Sequence, residues 1–287
     1  DGAAVTSNTV TISNSVPSIA SVTIDPNPAS ATDTLTCAWS GFSDVDSDVD
    51  QSTVNWAING VDTSTDPVLL SGFAGGDTVT CTVTPEDGSA SGVSLSDTII
   101  IDNTMPSISS VTITPDPAVA GDSLNCSYSG FTDIDGDADA STMEWFVNGA
   151  SEGTTATLTT TLVDGDSVTC TVTPADGTTT GTPLSDTLTI SNTAPILSDV
   201  SLGPDPAYED DTLVCTAGSA TDVDGSAITF TYVWTVNGGS IAVTSETLTG
   251  ADFDKNEDVS CTVTPNDGTD DGAAVTSNTV TISNSVP

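Results

Sequence analysis

Aspartates on alternate positions are the residues in this sequence with chemistry to offer. The first run reads DVDSDVD at residues 44–50, with carboxylates at Asp44, Asp46, Asp48 and Asp50. The second, DIDGDAD at 133–139, repeats the arrangement at Asp133, Asp135, Asp137 and Asp139. A shorter DVDG at 222–225 keeps only Asp222 and Asp224. Acids alternating along a turning backbone surround one point with oxygens, which is how a hard cation such as Ca2+ collects six to eight ligands. Like charges this close are costly without a counter-ion. Ca2+ is therefore the expected cofactor, bound more weakly or not at all by the third loop. An EF-hand is excluded, because its sixth position needs glycine where the second run has Ala138, and no helices flank the loop. The competing reading is a solvated acidic turn, in which Asp and Gly serve turn geometry alone.

Composition removes most other functions. The 287 residues hold 41 Asp plus Glu, one lysine (Lys255), no arginine and no histidine, for a formal charge of −40. Nucleic acid is excluded as a partner, since phosphate binding needs cations to displace counterions. Anionic membrane surfaces are excluded likewise, and no apolar run is long enough to span a bilayer. Without histidine or arginine, general acid–base and nucleophilic catalysis lack their usual groups. Carboxylate pairs can cleave glycosides, but aspartates repeated from loop to loop suit architecture better than a single active site. No enzyme is expected, and Lys255 reads as a turn residue with its side chain in water.

The elements that must position the aspartates come in repeats. PSIASVTIDPNPA begins at Pro17, PSISSVTITPDPA at Pro106 and PILSDVSLGPDPA at Pro195. The seventeen residues DGAAVTSNTVTISNSVP at 1–17 recur unchanged at 271–287. The organisation expected is the final strand of a preceding repeat at 1–17, then domains at 18–105, 106–194 and 195–287. A block of three domains is then the period of a longer tandem array. The alternative is a separate subunit whose first seventeen residues add a strand to a neighbour.

Within each repeat, apolar residues alternate with polar ones, as at Leu35, Cys37 and Trp39, Val54, Trp56 and Ile58, and Val79, Cys81 and Val83. Leu95, Ile99 and Ile101 mark a fourth run. Period-two alternation without any sustained helical period makes the chain all-β, with strands buried on one face. Cysteines recur at Cys37 and Cys81, Cys126 and Cys170, Cys215 and Cys261, with Trp56, Trp145 and Trp234 between the members of each pair.

This Cys…Trp…Cys order, three times over, resembles the immunoglobulin fold. The resemblance implies three tandem Ig-like sandwiches arranged end to end, each stapled by one disulfide within those cysteine pairs. It departs from the family in placing Val79, Val168 and Val259 where a tyrosine corner would fall, and in the long loop between strands B and C. Disulfides imply oxidising surroundings, hence an extracellular, cell-surface or appendage location. In such a sandwich the B–C and F–G loops share one end, so Asp87, Asp176 and Asp267 of the DG turns would join the acidic runs. Asn14, Asn103 and Asn192 of the linkers would be possible oxygen donors there. Repeat length, acidic loops and N-x-x-P linkers together resemble the tandem Ig-like and cadherin-like repeats of large prokaryotic surface adhesins and filaments. That resemblance implies a structural shaft whose partners are copies of itself, with lateral bundling possible. The alternative is an adhesin segment that binds glycans or a protein through Ca2+-loaded loops.

Overall fold

A computed structural model describes residues 1–284. All of its regular structure among these residues is β. In the first repeat, β1 (Ser21–Asp25), β3 (Leu35–Ser40) and β6 (Val68–Leu69) form one sheet, in the order β1-β3-β6. The opposing sheet contains β2 (Ala29–Ser30), β4 (Thr53–Ile58), β5 (Val61–Ser64), β7 (Thr78–Thr84) and β8 (Leu95–Asp102), in the order β2-β8-β7-β4-β5. All pairings are antiparallel except β2 with β8. The chain passes from β1 to β2 through Pro26 and Pro28, both preceded by cis peptide bonds.

Alternation explains which residues turn inward. Leu35 and Cys37 of β3, Val54 and Trp56 of β4, and Val79, Cys81 and Val83 of β7 are all buried. Trp56 is opposite Cys81 across the β4–β7 ladder, and Cys81 bridges to Cys37 in the facing sheet with 6.2 Å between Cα atoms. The indole N–H donates to the Asp66 carbonyl at 2.8 Å, so the ring is buried without an unmet polar group. Cys126–Cys170 and Cys215–Cys261 form the equivalent staples, and Trp145 and Trp234 donate to the Thr155 and Ser245 carbonyls. The expected cysteine pairing and the all-β sandwich are thus both present. One deviation lies in the fourth run, where Ile99 and Ile101 are buried but Leu95 is partly exposed.

Asn59-Gly60, Asn148-Gly149 and Asn237-Gly238 close the hairpin that follows each tryptophan strand, and both residues of each pair have positive φ. That conformation suits the right-handed twist of the flanking strands and is the reason Asn-Gly is favoured there.

The second repeat has the sheets Thr157–Leu158/Leu124–Ser129/Ser110–Thr114 and Ala150–Gly153/Thr142–Val147/Ser167–Thr173/Leu184–Thr189. In the third, Val200–Gly203, Thr212–Ala217 and Thr247–Thr249 face a larger sheet centred on Asp258–Asn266 and Thr229–Val236. By contacts the chain divides into two units. One comprises Asp1–Ser109 with Ser129–Thr142 and Thr173–Pro183, that is, the first repeat with the acidic loop and DG turn of the second. The other comprises Ser110–Tyr128, Met143–Val172 and the chain from Leu184 onward.

The duplicated segment shows what tertiary partners add to propensity. Val280 and Ile282 are fully buried in the strand Val280–Ser283, which pairs with Asp258–Asn266. Their sequence twins Val10 and Ile12 lie in a stretch without strand structure, 73% and 83% exposed. The same residues become a strand only where a sheet edge receives them.

Candidate functional site: carboxylates that hold the linkers

In the first repeat the loop between β3 and β4 folds around one carboxylate. Asp44 Oδ1 accepts the Asp46 N–H at 2.8 Å and the Asp48 N–H at 3.2 Å. Asp133 does the same for Asp135 and Asp137, and Asp222 Oδ1 accepts the Ser226 N–H at 3.2 Å. Such side-chain-to-backbone bonds are the reason Asp starts tight turns. This fold of the loop presents the next aspartate, Asp46, Asp135 or Asp224, to the linker.

The linker binds that aspartate through its main chain. Asp46 Oδ2 accepts the Ser15 N–H at 2.6 Å, Asp135 Oδ2 the Thr104 N–H at 2.6 Å, and Asp224 Oδ2 the Thr193 N–H at 2.7 Å. The other carboxylate oxygen takes a turn of the preceding repeat. Gly75 N–H donates to Asp135 Oδ1 at 2.5 Å, and Asp164 N–H to Asp224 Oδ1 at 3.0 Å. One carboxylate thus clamps a linker and a turn together, each through a charge-assisted bond.

A second carboxylate holds the neighbouring linker residue. Asn14, Asn103 and Asn192 donate their side-chain N–H groups to Asp87, Asp176 and Asp267 at 2.9, 2.9 and 3.0 Å. Expected to offer oxygens, these amides instead act as donors. The DG turns supply further donors: Ser89 and Ala90 N–H to Asp87, Thr178 and Thr179 N–H to Asp176, Thr269 and Asp270 N–H to Asp267. The Asn103 amide and the Asp87 hydrogen bonds place B–C loop, F–G turn and linker at one end, where Gln51 N–H also donates to the Glu86 carbonyl at 2.8 Å.

These bonds hold all three DG-turn carboxyls below the usual carboxylate range. The Asn14 and Asn192 amides are the main cause at Asp87 and Asp267, and the Thr179 N–H at Asp176. A carboxyl with a depressed folded pKa contributes stability that is present above its ordinary pKa and lost as pH falls through the folded value. The amide resonances of Thr178, Thr179 and Asn103 are therefore expected to stay put from pH 7 to about 4 and to move only below that. Asp176→Ala should abolish this late acid transition and speed hydrogen exchange at Thr178 and Thr179 roughly tenfold at neutral pH.

The remaining predicted aspartates part ways. Asp50 turns back to its own sandwich, accepting the Trp39 indole N–H at 3.1 Å and the Ser52 N–H at 2.9 Å. Asp139 similarly accepts the Ser141 N–H at 2.9 Å. Asp48 and Asp137 are exposed on the loop. Among the described residues no three or more acidic or other metal-ligating side chains are gathered as a metal-binding group. What recurs instead is one oxygen per loop: Asp44 Oδ2, Asp133 Oδ2 and Asp222 Oδ2 are all buried and without a hydrogen-bond partner. At the second and third loops, Thr104 Oγ1 and Thr193 Oγ1 of the linker are in the same condition.

Sequence reasoning missed some participants. Asp97 and Asp186 accept the Ile24 and Ile113 N–H groups at 2.9 and 2.8 Å, and Asn278 accepts that of Leu202 at 2.8 Å. Their common S-D/N-T setting was the available clue.

No protein-family profile and no curated protein matches the chain. Among solved structures, it is similar to a segment of two fibronectin type III domains from chicken tenascin, at 14% identity and TM-score 0.36, over 59% of this chain and 97% of that one. It is also similar to the FN1–FN3 domains of chicken CNTN1, at 10% identity and TM-score 0.28, over 93% of this chain and 97% of that one. The sandwiches and their three disulfides make this a region of repeated, disulfide-stapled β-sandwiches.

Proposed function

We propose that the chain is a repeat unit of an extracellular filament or long surface-protein shaft, in which acidic loops form the joints and Ca2+ stiffens them. The observation that carries this reading is the recurrence of one joint. Linker and preceding turn meet a single carboxylate at Asp135 and again at Asp224. Loops engaged by linkers in this way serve connection, whereas an adhesive tip needs them open to a partner. Three disulfides in sandwiches with modest cores fit oxidising, extracellular surroundings.

The residues fit Ca2+ in one respect: each loop leaves a buried carboxylate oxygen unmet, two of them beside a linker whose threonine hydroxyl is also unmet. Buried polar oxygens without partners are rare and call for one, which a cation can be. Asp44, Asp133 and Asp222 would hold the cation, with Thr104 and Thr193 contributing where present. Asp48 and Asp137 add charge that the third loop lacks. Calorimetric titration is expected to find Ca2+ binding, tighter at the first two loops, with a rise in Tm that Asp133→Asn diminishes. Absence of both binding and a Tm shift at millimolar Ca2+ would remove the cation from the proposal.

A further inference from the structure

Asp46 lacks one contact that its two counterparts have. Ser15 N–H meets its Oδ2, as Thr104 and Thr193 do at Asp135 and Asp224. No N–H among the described residues plays toward Asp46 Oδ1 the part of Gly75 at Asp135 or Asp164 at Asp224. The matching turn of the third repeat is centred on Lys255. Gly75, Asp164 and Lys255 stand at the same place before Cys81, Cys170 and Cys261. Each precedes a residue of positive φ, Gly76, Gly165 or Asn256. Those next residues donate their N–H to Ile101, Ile190 and Ile282 in the same manner. The three turns are one structure, and two of them are docked.

The third differs in two residues. Its N–H at Lys255 is directed to Glu209 Oε1 at 3.3 Å, a long bond, and the repeats with docked turns have Ala31 and Ala120 where the third has Glu209. Lys255 is also the sole cationic side chain of a chain of charge −40. A side chain at this position begins between the linker and the loop carboxylate: a Cβ built on Gly75 comes 2.8 Å from Asn103 Cα and 3.0 Å from Asp135 Cγ, so the linker must give slightly wherever the turn bears a side chain. In the second joint that place is taken by Asp164, beside Asp224.

We propose that the Lys255 turn docks head to tail on the Asp46 loop of a second copy of this sequence, its N–H on Asp46 Oδ1 and its ammonium beside Asp44, Asp46 and Asp48. The joint between blocks is then the one joint that carries its own cation, placed where two acidic copies meet. This rests on the array reading above, and names the contact that closes its period.

The test uses the only lysine as its own probe. Carbodiimide joins an amine to a touching carboxylate, so Lys255 reports its neighbour by peptide mass spectrometry. Two copies are joined in one chain, with residues 271–287 of the first serving as 1–17 of the second and Lys255→Arg in the second. Lys255 of the first copy is expected to cross-link to Asp44, Asp46 or Asp48 of the second, with Asp46→Asn lowering the yield about tenfold. Hydrogen exchange at Ser15 is compared between the two copies, since its bond to Asp46 forms within one copy and only the second copy has a repeat before it. If Ser15 is more protected in the second copy while Lys255 cross-links only to Glu209 of its own repeat, the docking assignment is wrong and the array reading stands. If Ser15 is equally protected in both copies and no inter-copy cross-link forms, both fall.

Discussion

Trp145→Ala should unfold the second sandwich well before the other two. The indole is fully buried, lies on the strand next to the one that carries Cys170, and donates to the Thr155 carbonyl at 2.9 Å. Truncation removes the largest side chain of the core, leaves a cavity the stapled sheets cannot close, and strands a carbonyl. Large aromatic-to-alanine changes in cores cost about 3–5 kcal/mol, a large share of what a domain of this size has in hand. Because Trp145 is the one tryptophan of the second repeat, urea unfolding of the variant followed by circular dichroism should show an early transition during which the fluorescence of Trp56 and Trp234, buried in the other two sandwiches, stays native. Trp145→Phe fills most of the cavity and should cost less, leaving mainly the unmet carbonyl, about 1–3 kcal/mol. Equal effects of the two substitutions would show that the hydrogen bond, not packing, dominates.

The second large effect is expected from the staple itself. Cys126 and Cys170 are 44 residues apart, and closing a loop of that length restricts the unfolded chain by about 4 kcal/mol in the chain-entropy account. The double substitution Cys126→Ala/Cys170→Ala should lower the urea midpoint of the second sandwich by a corresponding amount. Alanine is the appropriate replacement, since serine would bury two hydroxyls without partners. Reduction of the intact protein should remove all three staples at once and merge the losses. A midpoint unchanged by the double substitution would mean that the reduced, unfolded chain is no less restricted than the oxidised one.

Fold and site differ in how far the sequence discloses them. Alternation at Leu35, Cys37, Val79, Cys81 and Val83 is legible because burial on one face of a strand selects the residue type at every second position. The joints are less legible, because their donors are main-chain N–H groups. Gly75 and Asp164 perform the same task and share no side-chain feature that could announce it. The acidic runs conceal a division of labour for a related reason. Asp44, Asp46 and Asp50 look equivalent in DVDSDVD, yet one turns the loop, one clamps the linker and one caps the strand that begins at Thr53. Alternation records spacing along the chain, whereas these roles depend on where the loop ends and the sheet begins. The strand at Val280–Ser283 and its structureless twin at 1–16 make the same point with identical letters.

An acidic oxygen that recognises a main-chain N–H does not read the identity of the residue that bears it. Glycine, aspartate and lysine occupy the donor position in the three turns, and the receiving aspartate is of one kind throughout. In a chain that continues as proposed, this makes the blocks interchangeable parts. Unequal recombination between the gene segments that encode such blocks would then add or delete whole periods, and every new boundary would already fit. Length would become a matter of copy number, separable from the fold of each block.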